Sequence, residues 1–370
     1  MSHERLRLLL LLPFPPRFDG RHGGSRATSE LLDALTASHD IAVLFVRGPD
    51  EPDADADLAG RCALIEGFSR QHGTGLSRAL SNAHVRLSAV VGRPTWVGRW
   101  RVPALQRRLD ELIAAWRPDI VQAEYHVMGQ YALSLDAGSP PFVLTQYESG
   151  TMAVRERLGS ARGAARLIGW LSVRAWNRFE RSVMARADAV VVLTERDAAE
   201  AWEMGARRVE RIPLGLRTRD RFTEQRPESV RVEPESKEIV FVGNFGHPPN
   251  VDAAQWLARE IFPRVRARHA AARLRLVGAE VPASVLALAG DGVEVFANVP
   301  DVTPFLERAS VVVAPLRMGS GMRVKVLEAL AAGKALVATP LAVEGLAILD
   351  AAPQELRPRR YGWERRGSFR

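Results

Sequence analysis

Short apolar runs and longer helical patterns alternate along nearly the whole 370-residue chain, and this alternation constrains the fold more than any other feature. Apolar runs at 6–12, 41–46, 120–123, 142–144, 189–193 and 209–212 predict strands. Between them, apolar residues recur at helical spacing over 25–37, 102–116, 127–135, 164–186 and 195–204. Runs that are apolar throughout suit strands covered on both faces, and strand–helix–strand units cross over in one hand, so the pattern predicts parallel sheets. A charged stretch with Pro227 and Pro234 breaks the pattern and reads as a linker. It restarts with a strand at 238–242, a helix over 250–268, and strands at 274–277, 293–296, 311–316 and 335–339. The expectation is an α/β chain of two doubly wound, Rossmann-like parallel-sheet domains, 1–215 and 238–349, joined by 216–237 and facing across a cleft. Ligands of such sheets bind outside the carboxyl ends of the strands. Residues 350–370 carry no helical stripe and read as an irregular tail.

Composition removes several function classes. A net charge of +8 invites a nucleic-acid reading. Yet only Lys237, Lys325 and Lys334 are lysines, and the arginines are scattered among Ala, Leu and Val rather than gathered into a stripe, so no nucleic acid is expected. Cys62 stands alone, which fits a reducing cytoplasm. The apolar run at 6–12 is too short to span a bilayer and ends in Pro13-Phe14-Pro15-Pro16. The eight histidines have no zinc spacing, and Asp53-Ala54-Asp55-Ala56-Asp57 reads as a solvated acidic loop, so no metal is expected. The basic stretch 163–186, with Trp170 and Trp176, reads as a long helix covering the sheet, with peripheral contact to the inner face of a membrane as the alternative.

One segment carries most of the chemistry. After the strand at 311–316 comes a loop with Gly319, Ser320 and Gly321, then a helix opening with Arg323 and Lys325 and carrying Glu328 one turn in. Glycines let a backbone approach a ligand, and the N–H groups at a helix start face the same point. Two cations there call for an anion such as a diphosphate, while a carboxylate accepts from sugar hydroxyls. A nucleotide or nucleotide-sugar satisfies both. The spacing is neither a dinucleotide fingerprint, since Val324 occupies the third small position, nor a P-loop, since Ala332-Gly333-Lys334 lacks the upstream glycine. Gly23 and Gly24 follow the first strand, and Gly243 follows the first strand of the second domain; close approach to a ligand and plain turn chemistry both remain open for them. Asn250 suits a helix N-cap. Glu124-Tyr125-His126 and Gln146-Tyr147-Glu148-Ser149 stand past strand ends, where acid–base work on an acceptor belongs, with His126 either the acid–base group or a plain hydrogen-bonded imidazole.

In these residues the chain resembles the large retaining GT-B glycosyltransferase family (glycosyl transferases group 1, family four). Phe241-Val242-Gly243-Asn244-Phe245, Pro248-Pro249-Asn250-Val251-Asp252, Val299-Pro300-Asp301-Val302, Gly319 through Glu328 and Glu344-Gly345-Leu346 carry the likeness in the second half. Phe14-Pro15-Pro16, Gly23-Gly24 and Ala185-Arg186-Ala187-Asp188-Ala189 with Thr194 carry it in the first. The resemblance implies transfer of a sugar, with retention, from a nucleotide-diphospho-sugar to a glycan, lipid-linked or small-molecule acceptor, as in polysaccharide biosynthesis, with no cofactor or metal. It gives Arg323 and Lys325 to the diphosphate, backbone N–H groups of Gly321 and Met322 to the same anion, Glu328 to the ribose, and Asn298 and Val299 to the border of the base. Ser320 stands where the family often places a second glutamate, and Gln146 where it often places a histidine. The family also ends with further helices, which 350–370 does not resemble; a truncated or frame-shifted end is the expectation. Two alternatives stand beside transfer: a relative that binds nucleotide-sugar without turnover, and a GT-B nucleotide-sugar epimerase.

Overall fold

The computed structural model describes residues 5–20, 23–48, 51–70, 94–136, 138–158, 163–213, 237–299, 301–319 and 324–346. Most of the expected linker and the tail 350–370 lie outside the described residues, as do Ser320, Gly321, Met322 and Arg323.

Two parallel sheets form, as the alternation predicts. The first takes the order β3-β2-β1-β4-β5-β6-β7, with β1 Arg7–Leu12, β2 Asp40–Arg47, β3 Leu64–Ser69, β4 Ile120–Glu124, β5 Phe142–Gln146, β6 Ala189–Val192 and β7 Val209–Arg211. The second takes β10-β9-β8-β11-β12, with β8 Glu238–Asn244, β9 Arg273–Ala279, β10 Val293–Ala297, β11 Val311–Ala314 and β12 Ala335–Ala338. Every pairing between these strands is parallel.

Side-chain alternation splits each sheet's core in two. Leu9, Leu11, Ala42 and Leu44 pack on one face with Leu105, Leu109, Phe179 and Val183 from helices Pro103–Ala115 and Ala164–Arg186. Leu8, Leu10, Leu12, Val43 and Phe45 pack on the other with Leu32 and Leu58. In the second domain Phe241 and Val313 face Ala253, Leu257 and Phe262, while Val240 and Val312 face Leu306 and Ala329.

Several local expectations change. Strand β3 was not predicted. Asp53 to Asp55 form the expected loop, and Asp55 caps a short helix, Ala56–Arg61, by accepting from Asp57 N at 3.0 Å, so the acidic run leads from loop into a helix start. The segment after β4 is a 3₁₀ helix, His126–Ser134. The helix expected over 250–268 begins at Pro248 with His247 at its cap, so Asn250 is not the N-cap. It widens into a π turn at Leu257–Ile261 before resuming at Phe262–Arg266. Pro263 has no N–H to give the carbonyl one turn back, and the wider turn accommodates that missing bond.

Candidate functional site

Strand order reverses direction between β1 and β4 in the first sheet and between β8 and β11 in the second. At such points the crossovers on either side run to opposite faces and leave a crevice beyond the strand ends. Here the two crevices meet in one cleft of about 2970 Å³. A pocket for one small ligand is usually about 300–1000 Å³, so this cleft has room for two substrates.

The second domain's wall holds the charged residues singled out above. Lys325 and Glu328 both belong to helix Val324–Ala331, three positions apart and so on one face. Lys325 Nζ donates to Asn250 Oδ1 at 2.5 Å and lies 4.7 Å from the centre of the Phe241 ring. Asn250 Nδ2 in turn donates to the carbonyl of Asn244, at the end of β8, at 2.6 Å. Asn250 therefore orients the lysine, a role that its likeness to a cap residue concealed. A Cβ on Gly243 would come 3.2 Å from Asn250 and 3.4 Å from Lys325 Nζ, so a side chain there would crowd the asparagine that holds the lysine. Asn298 takes a left-handed conformation (φ 54°) and accepts from Glu280 N at 3.1 Å, shaping the cleft rim beside Val299.

The first domain's wall is aromatic. Tyr125, held at φ 69°, stacks on Tyr147 with ring centres 4.4 Å apart and meets Phe14 edge-on at 5.3 Å. A positive φ is strained for a bulky residue, and such strain gathers at functional sites. Gly24 is required by this packing, since a Cβ there would fall 2.0 Å from the Tyr125 hydroxyl oxygen. Gly23 faces the other domain, with its absent Cβ 3.2 Å from Val324. Both glycines line the cleft.

Beneath the tyrosines lies Glu124, fully buried at the end of β4. It accepts from Gln122 Nε2 at 2.5 Å and Thr145 Oγ1 at 3.0 Å. Burial pushes its carboxyl above the usual range, and hydrogen bonds from Gln122, Tyr147 and Thr145 only partly offset that. Burial also raises both tyrosine hydroxyls, so they remain neutral phenols. His126 borders the cleft but is 1% exposed, set between Trp96 and Trp176 at ring distances of 5.7 and 5.1 Å. Neither ring nitrogen has a hydrogen-bond partner among the described residues. Gln146 is likewise buried.

The domains touch across the cleft through polar contacts that sequence reasoning missed. Arg26, from helix Gly23–Thr36, donates through Nη2 to Glu328 Oε1 at 2.5 Å. Glu156 Oε1 accepts from the backbone N–H of Gly319 at 2.9 Å, and Arg196 Nη2 donates to the carbonyl of Gly319 at 2.9 Å. Arg196 also pairs with Glu344 at 3.1 Å. One signal pointed to Arg26: it stands just past the Gly23-Gly24 pair, as Lys325 stands just past the glycines of the other domain. Among the described residues no cluster of three or more His, Cys, Asp or Glu could hold a metal, and no helix is long and apolar enough to cross a membrane.

Two family models match. Residues 22–215 match "Glycosyl transferase 4-like domain" and residues 236–353 match "Glycosyl transferases group 1". Among curated proteins, no sequence matches. Solved structures align over most of the chain at low identity. Sucrose-phosphate synthase from Thermosynechococcus elongatus aligns with a TM-score of 0.62 at 15% identity, covering 93% of this chain and 83% of that one. WaaG, a glycosyltransferase involved in lipopolysaccharide biosynthesis, gives 0.61 at 16%, covering 93% and 84%. A trehalose-6-phosphate structure from E. coli bound with UDP-2-fluoro glucose gives 0.57 at 14%, covering 94% and 87%. At these identities the likeness establishes the shared two-domain GT-B fold.

Proposed function

This chain belongs to the group 1 glycosyl transferases, and on that premise we propose that it moves a sugar, with retention, from a nucleotide-diphospho-sugar to an acceptor held by the first domain. The observation that carries this reading is the pairing of Lys325 and Glu328 on one helix face at the mouth of the β8/β11 crevice. An ammonium and a carboxylate one turn apart match a phosphate and a ribose hydroxyl in neighbouring parts of one nucleotide. The UDP-2-fluoro glucose bound by the E. coli relative supports a nucleotide-sugar as donor.

In this reading the reaction is departure of the nucleoside diphosphate from the anomeric carbon. Charge builds on the leaving diphosphate, so cations that meet it in the transition state lower the barrier. The family likeness gives Lys325 and Arg323 the role of supplying that charge, together with the N–H groups of Gly321 and Met322, and counts Ser320 among the donor-binding residues. Glu328 accepts from the ribose, and Asn298 and Val299 border the base. The aromatic wall around Tyr125, Tyr147 and Trp96 suits an acceptor that presents C–H faces, such as a glycan or lipid-linked sugar, with His126 and its unpartnered ring as the acid–base candidate. The same aromatic wall gives no reason to prefer an epimerase, which needs no acceptor, and the comparisons lend that alternative no support. A relative that binds without turnover would take up donor and release no transfer product.

Arg323→Ala is expected to lower kcat/KM for the donor by about 10²–10³-fold, the usual effect of removing one group that meets developing charge, with the fold intact by circular dichroism. Unchanged turnover on the true donor would remove Arg323 from the site.

A further inference from the structure

The contact between Arg26 and Glu328 joins helix Gly23–Thr36 of the first domain to the carboxylate expected to meet the ribose. Its geometry is specific. Arg26 Nη1 donates to the carbonyl of Gly20 at 2.8 Å, which fixes the guanidinium against its own domain. Nη2 reaches across the cleft and takes only Oε1 of Glu328. The second oxygen of Glu328 has no hydrogen-bond partner among the described residues, although the two side chains are only 21% and 14% exposed. Both residues border the cleft.

A single-point contact of this kind leaves the carboxylate turned to one orientation, with one oxygen to offer. From these features we propose that Arg26 is a positioning residue for the donor: it holds Glu328 so that the second carboxylate oxygen faces the ribose hydroxyls, and it makes recognition of the ribose depend on closure of the first domain. This rests on the reading of Glu328 as the ribose acceptor. The alternative geometry, a two-toothed arginine–carboxylate fork, would engage both oxygens and close the site. Here the fork is split between Gly20 and Glu328, and that split keeps an oxygen available. The surroundings agree, since Gly23 stands 3.2 Å (through its absent Cβ) from Val324, so the two helix starts already abut.

The test compares ribose recognition directly. Binding of UDP, GDP and ADP, each beside its 2′,3′-dideoxy form, is measured by calorimetry on the full chain as wild type, Arg26→Ala, Arg26→Lys, Glu328→Ala and the double alanine variant. At least one ribonucleotide is expected to bind about tenfold more tightly than its dideoxy form, the worth of about 1.4 kcal/mol. Glu328→Ala abolishes that preference, Arg26→Ala reduces it to threefold or less, Arg26→Lys restores part of it, and the double variant is no worse than Glu328→Ala alone. A merely structural Arg26 would weaken both forms equally and leave the ratio untouched. If Arg26→Ala keeps the full preference while Glu328→Ala loses it, the positioning role is overturned and the donor reading stands. If Glu328→Ala keeps the preference, or no diphosphate binds, the donor reading falls and takes this inference with it.

Discussion

Glu124 is a carboxyl with no exposed surface, seated under the tyrosines that line the cleft. Because burial raises its folded pKa above the unfolded value near 4.5, the folded state keeps a proton that the unfolded chain gives up. The stabilisation is present below that window and is lost as pH rises across it, at about 1.4 kcal/mol per unit of separation. Glu124→Gln is therefore expected to flatten the fall in stability above pH 4.5 and to exceed the wild type at neutral pH, read from urea midpoints across a pH series. Glu200, also raised by burial, shares the direction, so the slope shrinks rather than vanishes. A Glu124→Gln variant with the wild-type pH slope would show that the carboxyl is ionised when buried. The sequence made Lys325 and Glu328 legible because charge beside glycines at a helix start has few structural uses. Asn250 and Arg26 were harder to read as cleft residues, since their partners lie 75 and 302 positions away. Only the glycine pair before Arg26 left a local trace.

Helix Gly150–Leu158 shows how an element can depend on one distant residue. Its first N–H groups have no partner within the helix. They are met instead by Glu180, buried on helix Ala164–Arg186, which accepts from Gly150 N at 2.7 Å and Thr151 N at 3.0 Å and also takes the Thr151 hydroxyl. Glu180→Ala strips a charged acceptor from these donors and is expected to cost about 1.5–3 kcal/mol, measured by chemical denaturation; a loss below 0.5 kcal/mol would mean that water replaces the carboxylate. Both sheets were readable because inner strands such as β1 and β11 carry unbroken apolar runs, Leu8–Leu12 and Val311–Ala314. Strand β3 was not, because Leu64-Ile65-Glu66-Gly67-Phe68-Ser69 lies at the sheet edge and breaks its apolar run with Glu66, Gly67 and Ser69. Its glycine answers a packing need instead: a Cβ on Gly67 would lie 2.5 Å from the Phe45 ring. The 3₁₀ form of His126–Ser134 was equally hidden, since its start depends on the positive φ of Tyr125.

At the scale of the molecule, the two sheets face each other through a cleft whose closure rests on few contacts. Leu193 of the first domain packs into the second domain's core, and Gly319 is held by Glu156 and Arg196. Partly exposed charged pairs contribute little stability, about 0–1 kcal/mol each. Removing Glu156 and Arg196 together is accordingly expected to leave the unfolding midpoint nearly unchanged while raising the radius of gyration in small-angle scattering. An unchanged radius would mean that apolar packing and the Arg26–Glu328 contact suffice to set the closure. Two domains and a cleft were legible from the alternation of strand and helix, but these contacts belong to tertiary structure alone.

In the proposed function the cleft holds a nucleotide-diphospho-sugar through Lys325 and its neighbours. A ligand that binds the folded state and not the unfolded chain raises the unfolding temperature, by an amount that grows with the logarithm of its concentration relative to Kd. The most direct measurement is thus a thermal-shift panel of UDP-, GDP-, ADP- and TDP-sugars on the wild type and on Lys325→Ala. At least one sugar nucleotide is expected to raise the wild-type midpoint by several degrees, and the Lys325→Ala variant is expected to lose that rise. No shift from any member of the panel, or a shift of equal size in the variant, would contradict the account.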